Sequence, residues 1–256
     1  MAKLSLELQP RSTPGAEVTS AAPDQWHLRI PGGPSGHYRL AQLDDYADLP
    51  RSRFRWQPPL RLELRARVSD ANLPGTWGFG LWNDPFTANL GLLGTARRFP
   101  ALPDAAWFFY ASSSNYLALH DTHPAQGFLA ATFASRRIPP LLLASSIPAL
   151  PLLAWSVTAR LLRRLARHFV IEDATRLTVD PIQWHRYRLE WNTNTVHFAV
   201  DGETCFTTAV APRVPLGLVL WIDNQFAAFP PDGRLRFGTL LNDPAWLELE
   251  DIIIQT

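Results

Sequence analysis

Leu60-Arg61-Leu62-Glu63-Leu64-Arg65-Ala66-Arg67-Val68 alternates apolar and charged residues over nine positions without a fault. Successive side chains of a strand point to opposite faces, so this period of two sends Leu60, Leu62, Leu64, Ala66 and Val68 into a core and the charges into water. Working outward, similar short runs recur at 77–82, 107–111, 116–120, 128–133, 187–191, 196–201, 216–223 and 246–254. Turn chemistry separates them, including Asn192-Thr193-Asn194, Asp201-Gly202 and Pro231-Asp232-Gly233. Many strands with frequent turns predict an all-β sandwich or barrel.

The 256 residues are enough for one large β domain. Hydrophobic residues make up 46% and charged residues 18%, with 10 Trp and 14 Phe, a composition that folds around a core. A formal charge of +1 and no basic run interleaved with aromatics exclude a nucleic-acid partner. Residues 1–24, rich in Pro, Ser, Thr and Ala, read as a loose N-terminal arm or an early edge strand, and 25–256 as the domain. The opening residues carry no apolar run before their first acid, Cys205 is a lone cysteine in a strand context, and no Asn-X-Ser/Thr acceptor occurs. These features lead to the expectation of a cytoplasmic protein.

One stretch departs from the pattern. From Ile138 to Ala159 no residue is charged, and Arg160, Arg163, Arg164, Arg167 and His168 follow. On a helical wheel the arginines gather on one side, with Trp155, Leu161, Leu162, Leu165 and Phe169 on the other, which predicts an amphipathic helix over 152–169. Pro139, Pro140, Pro148 and Pro151 oppose a membrane-spanning helix. The 138–170 segment is therefore expected to be a flap: a lid, a peripheral membrane contact, or a packing or oligomer surface.

Trp184-His185-Arg186-Tyr187-Arg188-Leu189-Glu190-Trp191, a turn, then Val196-His197-Phe198-Ala199-Val200-Asp201-Gly202 resembles a late strand pair of glycoside hydrolase family 16. Gly75-Thr76-Trp77-Gly78-Phe79-Gly80-Leu81-Trp82 looks like that family's G-x-W-P-A-F-W strand, and Leu249-Glu250-Asp251-Ile252-Ile253-Ile254-Gln255 like its closing strand. The resemblance implies a two-sheet antiparallel sandwich of the concanavalin A-like lectin and glucanase type. It also implies a catalytic strand of the form E-x-D-x-E or E-x-D-x-x-E. Residues two apart share a face, and retaining hydrolysis needs two carboxyls about 5–5.5 Å apart. Where that strand should fall stands Ala105-Ala106-Trp107-Phe108-Phe109-Tyr110-Ala111-Ser112, without a carboxylate after Asp104. The resemblance implies a structural calcium, carried by many relatives on the outer face near the first and last strands, and leaves such a site open here, with Glu250 where those relatives have an aspartate; no catalytic metal or cofactor is expected.

In this fold the concave sheet is the usual binding surface. The matched strands offer it Trp77, Trp82, Trp107, Phe109, Tyr116 and Trp221, with Asn83, Asn115 and Asn224 as polar ligand contacts. Asp84 and Asp223, each ending an aromatic strand, and His120 of His120-Asp121-Thr122-His123 are the candidate proton-transfer groups. The expected function is binding of a carbohydrate or an amphiphilic or apolar ligand in an aromatic cleft. The rival is a cyclase- or isomerase-like enzyme enclosing an apolar substrate under the flap.

Overall fold

The alternating stretch at 60–68 is the central strand of the first of two large sheets. The computed structural model describes residues 6–22, 24–85, 101–139, 143 and 155–256. In chain order the strands are β1 (Gln9–Ser12), β2 (Glu17–Ala22), β3 (Gln25–Ile30), β4 (Leu40–Asp44), β5 (Leu60–Val68), β6 (Thr76–Trp82), β7 (Ala105–Ala111) and β8 (Gly127–Ser135). Helix α1 (Ser156–Phe169) follows, then β9 (Val170–Arg176), β10 (His185–Trp191), β11 (Val196–Val200), β12 (Glu203–Thr208), β13 (Gly217–Asp223), β14 (Gln225–Ala228), β15 (Arg236–Thr239) and β16 (Ala245–Gln255).

One sheet has the order β12-β11-β10-β5-β16-β3-β2 and the other β1-β4-β13-β6-β7-β8-β9; β14 and β15 form a separate hairpin. Neighbouring strands within both large sheets are antiparallel. This is the expected two-sheet antiparallel sandwich. Residues 9–12 and 17–22 are not a loose arm. They are edge strands, β1 on β4 and β2 on β3. Residues 116–120 form no strand; Tyr116 makes only an isolated bridge to Ala228.

The core lies between the sheets. From the first sheet come Leu62, Leu64, Tyr187, Leu189, Trp191 and Phe198, and from the second Trp77, Phe79, Leu81, Phe108, Leu218 and Leu220. Rings meet across the gap: Phe79 and Tyr187 lie 4.9 Å apart, Phe108 and Phe198 5.2 Å. In β16 the inward residues are Leu247 and Leu249, then Ile252 and Ile254. A bulge between Glu250 and Ile253, with Asp251 at φ 54°, shifts the parity by one and keeps both halves of the long strand on the core. On its solvent face Glu248 accepts from Arg67 at 2.6 Å, and Glu250 pairs with Arg65. These are solvated cross-strand ion pairs of modest energy.

The second sheet is apolar on its outer face as well, and glycine makes room there. A Cβ at Gly78 would stand 2.8 Å from the Trp221 indole and 2.5 Å from the Phe108 carbonyl oxygen, and one at Gly80 2.5 Å from Trp107 Cα. The two tryptophans thus lie over the backbone of β6.

Buried acids tie the strand ends. Asp45 accepts from Trp56 Nε1 at 2.5 Å and from the Leu218 N–H at 2.9 Å, joining the chain after β4 to β13. Asp223 Oδ1 accepts from the Thr76 N–H, the Thr76 hydroxyl and the Gln225 N–H, and its Oδ2 accepts from the Tyr38 hydroxyl. Burial pushes Asp45 up to about 6 and Asp223 up to about 7, against those hydrogen bonds, which favour the charged form. A carboxyl raised in the folded state holds its proton more tightly there than in the unfolded chain. Its burial cost is therefore fully present above the folded value and is relieved as pH falls toward the ordinary value of 3.8.

Gly80→Ala is expected to cost about 2–3 kcal/mol, because the added methyl meets backbone rather than a movable side chain; circular-dichroism melting should show Tm lower by about 4–10 °C. Wild-type Tm should rise as pH falls from 7.5 toward 5, and Asp223→Asn, whose amide can donate to Tyr38, should flatten part of that rise. An unchanged pH slope in the variant would show that Asp223 carries no burial cost.

Candidate functional site

The outer face of β13-β6-β7-β8 carries a continuous cluster of aromatic rings, of which Phe109 and Trp221 are buried and Trp82, Trp107 and Phe133 partly exposed. Trp82, Trp107, Phe109, Phe133 and Trp221 belong to one apolar cluster there, separate from the inter-sheet core. Trp107 is its hub. Its ring lies 5.7 Å from Trp82, 5.2 Å from Phe109 in a stacked arrangement, 5.5 Å from Trp221 and 6.2 Å from Phe133. Register explains the grouping. Trp107 pairs with Gly80 on one side and Ala131 on the other, and Phe109 with Gly78 and Leu129, so small or aliphatic neighbours flank each large ring. Trp82 donates from Nε1 to the Tyr46 hydroxyl at 2.5 Å and Trp221 to the Thr76 hydroxyl at 3.0 Å, which fixes both indoles.

At the β9 side this surface meets a polar corner. Glu172 pairs in register with Phe133, and its side chain is 3% exposed. Its Oε1 accepts from the His120 N–H at 2.5 Å and lies 3.3 Å from His120 Nδ1. Its Oε2 is buried without a hydrogen-bond partner, as is Nε1 of Trp107. Both residues line a cavity of about 40 Å³ whose walls include Phe109, Leu117, His123 and Phe133. His123 stands 5.9 Å ring to ring from His120 and 3.8 Å from the Asp173 carboxylate. Two residues that each hold an unpaired buried polar atom thus line one small, mostly apolar space. Such groups carry a desolvation cost that a suitable ligand group or a bound water removes.

The sequence candidates divide between this face and structural duties. Trp82, Trp107, Phe109 and Trp221 share the outer face. Trp77 does not: it is 2% exposed in the inter-sheet core and stacks on Tyr110 at 5.6 Å. It has the opposite parity to Trp82 on β6, so the two cannot line one surface. Asn115 donates to the Gly75 carbonyl and the Ser112 hydroxyl and accepts from the Ala227 N–H. Asn224 accepts from the Arg39 N–H and donates to the His37 and Leu240 carbonyls. Asn83 and Asp104 hold the start of β7 through reciprocal backbone and side-chain bonds. The hydrogen bonds of these asparagines satisfy buried backbone groups, and Asn83 also lines a second cavity of about 480 Å³. Tyr116 lies beneath the Arg163 guanidinium, 5.4 Å from its ring centre. Asp84 is buried at the end of β6 with φ 48°, and its carbonyl accepts from Arg51 at 2.5 Å. Asp223 has the four hydrogen bonds described above. Of the candidate proton-transfer groups, His120 alone adjoins the aromatic surface's cavity, through Glu172.

Glu172 and Phe133 are the functional candidates that sequence reasoning missed. Glu172 lies 52 residues from His120, in a strand whose alternation is weak, and no local motif joins the two.

The positions of β7 that share the outer face are Ala105, Trp107, Phe109 and Ala111, with rings where two-apart carboxyls would stand. Asp104, just before β7, is turned to the Ser135 N–H and Asn83, and burial pushes it up to about 6.

Among the described residues no helix is long and apolar enough to cross a membrane. Helix α1 begins at Ser156, later than the wheel suggested, and the part of the 138–170 flap at 140–142 and 144–154 lies outside the described residues.

No family model and no curated protein matches the chain. Solved structures do. The β-glucanase of Bacillus licheniformis is 10% identical over 96% of this chain and 92% of its own, with a TM-score of 0.47. The endo-β-1,4-glucuronan lyase of the fungus Trichoderma reesei is 11% identical over 97% and 87%, with a TM-score of 0.46. An immunostimulatory antigen and pseudo β-1,3-glucanase of Mycobacterium tuberculosis is 14% identical over 90% and 74%, with a TM-score of 0.45. What the chain has in common with these proteins is the β-sandwich, which its own strand pairing establishes independently.

Proposed function

We propose that this protein binds a carbohydrate or a sugar-headed amphiphile on the outer face of the second sheet and does not hydrolyse it. One observation carries the reading: beside a cluster of stacked rings, Trp107 and Glu172 line one small cavity, and each holds a buried polar atom, Nε1 and Oε2, without a hydrogen-bond partner among the described residues. A hydroxyl both donates and accepts, so a polyol brings what each of these groups lacks, while its C–H face rests on the rings. A purely apolar ligand would leave both unpaired. The carboxylate-free face of β7 supports the absence of hydrolysis. The lone thiol Cys205, exposed on β12, suits a reducing compartment and supports action in the cytoplasm.

A second reading, a cyclase- or isomerase-like enzyme, draws on the contact between His120 and Glu172. A histidine against a buried carboxylate is a proton-transfer pair, and a substrate in the adjoining cavity would lie beside it.

The test is calorimetric titration with laminarihexaose, cellohexaose and octyl-β-glucoside, alongside tryptophan fluorescence. Saturable binding is expected for at least one of them, with no release of reducing ends. Trp107→Ala should abolish it, and Glu172→Gln should weaken it about tenfold or more, the loss expected for a hydrogen bond to a charged acceptor. Failure of all three probes to bind, or equal binding by wild type and both variants, would overturn the glycan reading. Conversion of a bound probe that disappears in His120→Ala would favour the enzyme.

A further inference from the structure

Helix α1 sits on the protein the opposite way round from an ordinary surface helix. Such a helix turns its leucines to the core and its charges to water. Here the buried residues are Ala159 and Arg163, and the apolar side faces out: Trp155 is 65% exposed, Val157 68%, Leu161 64%, Leu162 41% and Leu165 52%.

The roll of the helix is fixed by its arginines. Arg163 donates to the Ala118 carbonyl at 2.8 Å and the Phe229 carbonyl at 2.5 Å, pairs with Asp121 at 2.6 Å, and lies over the rings of Tyr116 and Phe229 at 5.4 and 5.7 Å. Arg167 adds the Leu119 carbonyl at 2.6 Å and the second oxygen of Asp121 at 2.7 Å. Turning the leucines inward would give up these hydrogen bonds and ion pairs. The outward apolar face goes with this set of contacts.

Its chemistry identifies the occupant. Arg160, Arg164 and His168 are exposed alongside the leucines, and Ser156–Phe169 contains no acidic residue. A second copy of this chain fits poorly, because a two-fold contact through this face would bring Arg160 and Arg164 toward their own images. An anionic bilayer complements both features, accepting leucines and a tryptophan into its interface while its headgroups meet the arginines. We propose that α1 is a docking surface for anionic lipid membranes, on which it lies flat without crossing.

The experiment is co-sedimentation of the whole protein with phosphatidylcholine vesicles, with and without phosphatidylglycerol, accompanied by light scattering to follow its oligomeric state. The expected result is binding to the phosphatidylglycerol vesicles, much weaker binding to phosphatidylcholine alone, and release by salt. Leu161→Glu/Leu165→Glu should abolish binding with the melting curve unchanged, since both side chains are already in water. Arg160→Glu/Arg164→Glu should weaken it by about tenfold or more, given the contribution of each cation near an anionic surface. Absence of binding to either vesicle overturns the proposal, as does binding that survives the leucine substitutions. So does a dimer that binds no vesicle and dissociates in the leucine variant, which would assign the face to self-association.

Discussion

The second sheet has two apolar faces, and most of the molecule answers that constraint. A sheet packed on one side ordinarily alternates apolar and polar residues. In β6, β7 and β13 most of the residues that point away from the core are rings, glycines or small apolar residues. Water cannot be left against so much aromatic surface without cost, so the loop that carries Leu117 and the segment that carries Tyr46 and Phe54 close over its flanks. Gly78 and Gly80 are part of the same solution, since only a strand without side chains at those positions lets Trp107 and Trp221 lie against it. The candidate site is what remains between the flanking segments.

Asp45, Asp104 and Asp223 are buried at the ends of β4, β7 and β13, each accepting backbone N–H groups that would otherwise be stranded. All three are raised by burial, a state that can mark a working acid, yet each is surrounded by donors that serve strand ends. Glu172 differs. It shares the burial but keeps one oxygen unpaired, beside the aromatic surface rather than inside a turn. That difference in hydrogen-bond satisfaction, not the charge state, separates a structural acid from a candidate for ligand contact.

Helix α1 shows the same physics at the surface. A guanidinium carries five donors in a planar fork, and the carbonyls of Ala118 and Phe229 with Asp121 take up the terminal nitrogens of Arg163, while Leu119 and Asp121 accept from Arg167; Nε of Arg163 has no partner among the described residues. Satisfying that set decides which way the helix rolls, and the leucines go where the arginines leave them.

How much of this the chain announces by itself depends on the range of the interaction. Period-two alternation is a local property, so β5, β6, β7, β8, β10, β11, β13 and β16 were legible, and parity alone grouped Trp107 with Phe109. The amphipathic helix was legible for the same reason, apart from its start. Parity does not say which face is inward when both are aromatic, and Trp77 and Trp82 could be told apart only by the partner sheet that buries one of them. The weak, polar β1, β2 and β9 gain their strand conformation from neighbours far along the chain, as does the contact between His120 and Glu172. The roll of α1 likewise rests on carbonyls at 118, 119 and 229, which no wheel contains. The sequence determined the alternating strands and which of their residues share a face, because these are set within a few residues; the tertiary structure decided which faces are buried and which polar groups remain unpaired, because those depend on what packs against them.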